Sequence, residues 1–398
     1  FNLSKIIIAT PQTIQNDLKN NRIKLDKFSL LCIDEAHRSR QKFANTMIAK
    51  NFVDATKNQR IIALTASPGS TKEKINEICK NLFIDAIEIR TEESDDVKSY
   101  VQERKIELVS VELPAEIKSI HEIIKKEYKE KLNQLKKFGF NKPNYLISKR
   151  DIIELQSMFR KEIERKNPTA YHGISLTSQL MKIDHILELL ETQTLETTIK
   201  FMEKLRLDTS KAAKSIIKDL WFDEVFNFLK DLNKKDIEHP KLNELKKIIL
   251  NQLYLDKKSK IIVFANFRNT VNSIVNFLNK NKEIKAVKLI GQKEGISQKE
   301  QILTINRFED DIYNVLVGTS ISEEGINIKE ATLAIFYDNV PTSIRRIQRS
   351  GRVGRVKSGK IIFLITKNTR DSIYYWKSKR EEKRMKNILQ DNYQQSLI

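Results

Sequence analysis

The sequence predicts an α/β protein, with two parallel-sheet domains and an all-helical insertion between them. Three observations carry that expectation. Short apolar runs of strand length alternate with amphipathic segments over residues 1–105 and again over 239–370, an order that implies parallel sheets. From Pro114 to about Asn233 the pattern changes: only Gly139 and Gly173 interrupt it, and apolar residues recur every three or four positions. At 398 residues the chain is also too long for one ordinary core.

Each element has a local reason. "KIIIAT" (5–10), "LLCID" (30–34) and "RIIALTAS" (60–67) read as the strands of the first domain. In the middle, Ile117, Ile120, Ile124, Tyr128, Leu132 and Leu135 mark one face of a long amphipathic helix. Further helices fit 148–166, 174–193, 195–207 and 210–232, with "NKPN" and "KNPT" as punctuation. The second domain offers "KIIVFAN", "IKAVKLI", "NVLVGTS", "LAIFYD" and "KIIFLIT", with amphipathic "VNSIVNFLNK" among them. The expected divisions are 1–110, the insertion 111–236, the second domain 237–370, and a basic C-terminal helix over 371–398.

Composition narrows the class. The net charge is +20, from 72 Lys and Arg against 52 Asp and Glu, an excess that favours a polyanion such as nucleic acid. Cys32 and Cys79 cannot build a disulfide framework and suit a reducing, intracellular compartment. The five histidines are scattered without metal-ligand spacing, so no structural zinc is expected. No apolar run reaches the roughly 18 residues of a membrane span. The chain opens on Phe1 without a signal peptide, so a fragment is expected.

Chemistry concentrates in a few stretches. "LLCIDEAHRSR" ends an apolar strand on Asp34 and Glu35. That places two carboxylates at the C-terminal edge of a parallel sheet, where open α/β sheets bind ligands. There Asp34 can hold Mg²⁺ through water and Glu35 can polarise an attacking water; a polar strand end before a helix cap is the plainer alternative. "LTASPGS" (64–70) follows another strand, "VLVGTSISEEGINI" (315–328) ends one in Gly-Thr-Ser, and "IQRSGRVGR" (347–355) gathers Arg349, Arg352 and Arg355.

Taken together and in order, these stretches resemble motifs Ib, II, III, IV, V and VI of a superfamily 2 DEAH-box helicase. "ATPQTIQNDL", "DEAHR", "HPKLNELKKIIL", "SEEGINI", "VPTSIRRIQRSGRVGR" and "TRDSIYYWKSKREEK" resemble more narrowly the archaeal Hef and Fanconi anaemia group M branch. Asn327 stands where an Asp is usual, and Ser350 and Val353 replace commoner Arg and Thr. The resemblance implies two RecA-like domains, a thumb-like DNA-binding insertion, and ATP with Mg²⁺ as cofactors.

A phosphate-binding loop needs Gly-x4-Gly-Lys-Ser/Thr between a strand and a helix. The one near match, "GRVKSGKI" (354–361), lacks the Ser/Thr and runs into a strand-like segment, so it is rejected. By resemblance the loop lies upstream of Phe1. The first domain is then incomplete, Asp34 and Glu35 are half of a site, and this chain alone is expected to be inactive.

The resemblance also implies roles. Asp34, Glu35, Gln348, Arg352 and Arg355 would be catalytic, with the two arginines as fingers. His37, Thr65, Ala66 and Ser67 would couple hydrolysis to movement, and Gly325 and Asn327 would face the nucleotide. Thr10, Pro11, Gln12, Thr319 and Ser320 would meet the phosphodiester backbone. The implied activity is ATP-driven unwinding or translocation on branched or forked duplex DNA in repair and replication restart. A double-stranded RNA helicase of the Dicer and RIG-I-like type and a non-catalytic nucleic-acid-binding scaffold remain as alternatives. Tyr374, Tyr375 and Trp376 could stack on a base, although packing on the second domain is the preferred reading. Some chains of the branch continue into a nuclease with a Glu-Arg-Lys signature; "REEKRM" (380–385) is not that signature.

Overall fold

The computed structural model describes residues 4–40, 43–56, 60–91, 94–98, 104–291, 297–319, 331–339 and 359–393. They form two compact units: the first takes the chain up to residue 101 and the C-terminal stretch from Trp376, and the second takes most of the rest. Ser320, Gly325, Asn327, Gln348, Arg352 and Arg355 lie outside the described residues.

In the first unit, Thr10 caps helix α1 (Pro11–Lys19), accepting from the Thr13 N–H at 3.3 Å, and proline suits the first helical position. Strands β1 (Leu30–Ile33) and β2 (Arg60–Ala63) pair in parallel, Leu30 opposite Arg60. Helices α2 (Ala44–Ala55), α3 (Lys72–Leu82) and the short α4 (Asp95–Lys98) complete the unit. Strand alternation turns Leu31, Ile33, Ile61 and Ala63 onto a core with Ala49, Ile78 and Leu82. The opposite face stays open, with Leu30 50%, Ile62 40% and Leu64 52% exposed. Parallel sheets are ordinarily covered on both faces, and that is why such strands read as continuous apolar runs.

One expected strand is absent. Residues 5–10 form none, and Ile6 and Ile8 are 79% and 94% exposed. An apolar run reports suitability for burial, but a strand exists only through a partner's ladder. Among the described residues nothing pairs with this one.

The second unit is built on six parallel strands, β3 (Arg104–Val111), β4 (Ile261–Phe264), β5 (Ala286–Leu289), β6 (Val315–Gly318), β7 (Leu333–Phe336) and β8 (Gly359–Thr366). Their order is β3-β8-β7-β4-β6-β5. The inner strands β4, β6 and β7 are buried at every residue. Gly359, the decoy's second glycine, opens a strand rather than a helix. Helices α11 (Pro240–Leu255), α12 (Arg268–Leu278) and α13 (Gln298–Glu309) connect the strands.

Strand β3 lies elsewhere than the division at residue 110 implied. It runs beside β8 from Arg104↔Gly359 to Val111↔Thr366, so it belongs to the second sheet. As an edge strand it carries Glu107, bound to Lys360 Nζ at 2.7 Å, and a charged edge discourages further pairing.

Between β3 and α11 lies the helical insertion: α5 (Ala115–Leu135), α6 (Lys149–Glu164), α7 (Thr169–Thr192), α8 (Leu195–Leu207), α9 (Lys211–Lys218) and α10 (Leu220–Lys234). The α5 stripe packs as its spacing predicts: Ile117, Ile120, Ile124, Leu132 and Leu135 are buried. The helix expected over 210–232 is broken at Asp219, whose extended backbone (φ −73°, ψ 129°) ends α9 and starts α10. The bend lets Ile216, Trp221 and Phe222 enter one core. Gly173 permits close approach of α7 to α6, because a Cβ there would sit 2.7 Å from the Phe159 ring.

Insertion and second sheet meet in a buried polar seam. Gln193 Nε2 donates to Asp338 Oδ2 at 2.9 Å, and Thr270 Oγ1 donates to Gln193 Oε1 at 2.8 Å. Lys241 Nζ donates to the Tyr337 and Thr192 carbonyls at 2.8 and 3.3 Å and pairs with Asp371. Asp371 opens the last helix, α14 (Arg370–Tyr393), and also accepts from Asn339 Nδ2 at 2.9 Å and the Thr366 N–H at 3.0 Å.

His239 caps α11 from a fully buried position, accepting from the Lys241 N–H at 3.3 Å. Burial, aided by the Lys241 charge, holds its imidazole down to about 3. The folded state therefore keeps it neutral at pH values where the unfolded chain protonates it. Stability is unaffected above about pH 6.5 and falls as pH drops below it, by about 2 kcal/mol at pH 5. Urea melts of wild type and His239→Asn between pH 7 and 5 check this, with the wild-type slope flattening in the variant.

Candidate nucleotide and nucleic-acid site

Asp34 is the first residue beyond β1, and its Oδ1 accepts from the Glu35 N–H at 2.8 Å. Glu35 is left-handed (φ 50°, ψ 44°). That region costs a non-glycine residue about 1–2 kcal/mol. The chain then enters a short 3₁₀ turn, Ala36–Arg38. Two backbone hydrogen bonds, Leu64 N–H to the Ile33 carbonyl at 2.8 Å and Ala36 N–H to the Leu64 carbonyl at 2.9 Å, tie the ends of β1 and β2 together.

His37 sits at the junction. Its Nδ1 lies 3.1 Å from Glu35 Oε2 and 3.2 Å from Thr65 Oγ1. Thr65 Oγ1 in turn accepts from the Ser67 N–H at 3.2 Å. A carboxylate at the end of one strand is thus linked through one imidazole to the turn that follows its neighbour. A proton on Nδ1 can be offered to the carboxylate or to the hydroxyl.

The comparisons agree with this arrangement. Three family models match: type III restriction enzyme, res subunit, over residues 2–70; the helical bundle of ATP-dependent RNA helicases over 116–236; and the helicase conserved C-terminal domain over 240–357. The crystal structure of the Pyrococcus furiosus Hef helicase domain superposes with a TM-score of 0.71 at 39% identity, covering 94% of this chain and 79% of that one. The chain belongs to the superfamily 2 helicases, in the branch of Hef and the Fanconi anaemia group M protein. A Methanocaldococcus jannaschii protein named as an ATP-dependent RNA helicase, MJ1505, is 41% identical over 98% of this chain and 49% of its own length. The ATP-dependent DNA helicase MPH1 of Pyricularia oryzae is 32% identical over 93% of this chain and 36% of its own. The chain thus spans half or less of these relatives.

The remaining helicase positions fall as follows. Motif III is braced from below: Ser67 is buried and its Oγ donates to Met385 Sδ of α14 at 3.3 Å. Arg40 reaches the Pro68 carbonyl at 3.4 Å, while Ala66 is exposed. Thr10 and Gln12 are exposed at the N-terminal turn of α1, with Pro11 half-buried between them. A helix start offers N–H groups and a positive dipole end to phosphate. In the second unit, Thr319 follows β6, and its N–H donates to the Leu289 carbonyl at 3.2 Å. The preferred reading of the C-terminal aromatics holds for the two tyrosines. Tyr375 is buried, its ring centroid 5.3 Å from that of Phe363, and the Tyr374 hydroxyl reaches Glu188 Oε1 at 3.4 Å. Trp376 remains half-exposed.

Sequence reading missed the residues that hold the site. Ser39 is fully buried, with Oγ accepting from Asn45 Nδ2 at 3.1 Å and its carbonyl from Asn81 Nδ2 at 3.0 Å. Only its place two residues after His37 hinted at this. Nothing in the spacing of Gln193, Lys241 or Asp371 marks them as buried.

Asp34 suits magnesium, which keeps several waters and binds through one or two carboxylates plus substrate phosphates. No cluster of three or more acidic, His or Cys ligands occurs among the described residues, and that mode needs none. Also among the described residues, no helix is long and apolar enough to cross a membrane.

Proposed function

We propose that this chain is the motor segment of an ATP-dependent DNA helicase or translocase that works on branched or forked duplexes. The observation that carries the reading is the Asp34–Glu35–His37–Thr65 linkage at the strand ends of the first unit. Asp34 would hold water-ligated Mg²⁺ and Glu35 would accept the proton of the attacking water. His37 and Thr65 would report the state of that carboxylate to the turn beyond β2. Gly325, Asn327, Gln348, Arg352 and Arg355 would complete the nucleotide site by the roles their motifs imply. Bound ATP supplies the phosphoryl group whose cleavage drives the cycle; the protein's part is positioning, charge stabilisation and a phosphate cradle.

The DNA assignment rests on the charge of +20 and on the DNA helicase name of the MPH1 relative. Phosphate contacts at Thr10, Pro11, Gln12, Thr319 and Ser320 would position the strand without reading its sequence. Binding is then expected to be sequence-independent and to weaken with salt, log K falling by about 0.9 per duplex phosphate neutralised. A titration of forked DNA at several salt concentrations checks this. A salt-insensitive affinity, or a preference for one base sequence, would overturn it.

The RNA helicase name of the MJ1505 relative favours a second reading, a double-stranded RNA motor. Matched deoxy and ribo forks separate the two, since the 2′-OH is the discriminating group.

A further inference from the structure

The tip of the helical insertion presents an exposed aromatic on a stiff, basic turn. Tyr145 is 85% exposed and Leu146 beside it 52%. Their neighbours face inward: Phe138, Phe140 and Ile147 pack on a core of Leu132, Leu135, Ile152, Leu176 and Leu180. The turn, a 3₁₀ stretch over Asn144–Leu146, is therefore anchored on both sides.

Hydrogen bonds fix it further. Asn144 Nδ2 donates to Asn133 Oδ1 at 2.8 Å, and the Leu146 N–H donates to the Pro143 carbonyl at 2.9 Å. Lys142 Nζ reaches both Asp151 oxygens at 2.9 Å, and Ser148 and Asp151 form a reciprocal cap on α6. Those contacts, the Ser148 hydroxyl first and Lys142 next, hold the Asp151 carboxyl well below the usual range. The turn therefore keeps its geometry across ordinary pH. A fixed aromatic gives up little conformational entropy on binding.

The surroundings select the ligand. Residues 136–150 contain five basic side chains and no acidic one. Lys142 and Arg150 are engaged by Asp151 and Glu154, while Lys136 and Lys137 are exposed. A protein partner for an exposed Tyr-Leu pair would not call for this one-sided charge. A polyanion carrying flat apolar rings would.

We propose that Tyr145 is a stacking platform for an unpaired nucleobase at the branch point of the nucleic acid. Lys136 and Lys137 hold the adjoining phosphates. The proposal rests on the nucleic-acid reading given above and adds the place where the single-stranded arm is received. Base–aromatic stacking tolerates any sequence because every base has a π face, as a translocating motor requires.

The test compares a forked DNA with a blunt duplex of equal length, with 2-aminopurine at the first unpaired position. Tyr145→Ala should weaken fork binding by about 5- to 150-fold and abolish the quench of 2-aminopurine. Blunt-duplex affinity and the salt slope should stay unchanged. Tyr145→Trp should restore both fork affinity and quench. Tyr254→Ala, at another tyrosine with 88% exposure, should change nothing. Wild-type binding with a Tyr145→Ala fork preference that is unaltered, or lost together with duplex affinity, overturns this proposal alone. A wild-type protein that binds no nucleic acid overturns the functional reading with it.

Discussion

Glu35→Gln is expected to slow nucleic-acid-stimulated ATP turnover by about 10²–10⁴-fold, or roughly 3–5 kcal/mol of barrier, with nucleotide affinity near normal. The amide keeps the volume of the carboxylate and can still face His37 Nδ1, which lies 3.1 Å from Glu35 Oε2. What it loses is the capacity to take a proton. Asp34 is unaltered, so magnesium-dependent nucleotide binding should persist. If Glu35 only fixes the turn through His37, the variant should turn over within about tenfold of wild type. Steady-state hydrolysis at saturating nucleic acid, alongside equilibrium binding of a nucleotide analogue, separates the outcomes; near-normal turnover removes Glu35 from the catalytic set.

Lys241→Met should destabilise the second unit by about 3–5 kcal/mol. Lys241 and Asp371 are both fully buried, and each satisfies part of the other's charge. Methionine fills the space of the lysine stem but leaves Asp371 charged. Its remaining donors would be Asn339 and the Thr366 N–H. The Tyr337 and Thr192 carbonyls would also lose their shared donor. Removing both charges, Lys241→Met with Asp371→Leu, should recover part of the loss, because the uncompensated charge is gone. Denaturant melts followed by Trp221 fluorescence, in a Trp376→Phe background, report this region. A loss below about 1 kcal/mol would mean that water or neighbouring groups compensate for the lysine.

These two residues mark the difference between what sequence reading reaches and what it does not. Glu35 was legible because its chemistry is local: an apolar run ending on adjacent carboxylates requires only one strand and its edge. The insertion was legible for a similar reason. The α5 spacing names its own buried face, and Ile117 and Ile124 are indeed fully buried. Lys241 was not legible, because its burial depends on Thr192, Tyr337 and Asp371 meeting from distant parts of the chain. Strand β3 failed likewise. Its eight residues suit a strand, but which sheet receives them is decided by β8, more than two hundred residues later. The run over residues 5–10 shows the converse: strand-like composition without a ladder to join.

Glu35 has one more consequence. Its left-handed backbone, φ 50°, is a conformation that glycine enters freely and asparagine more easily than glutamate. Chemistry and backbone therefore ask for different residues at one position. Changes that relax the turn also delete the carboxylate, so stability gained here trades directly against turnover. A thermostability screen blind to hydrolysis would drift toward Gly or Asn at this position and discard the acid among its first gains. Motors engineered for heat resistance along that route would hold their fold while they stopped moving.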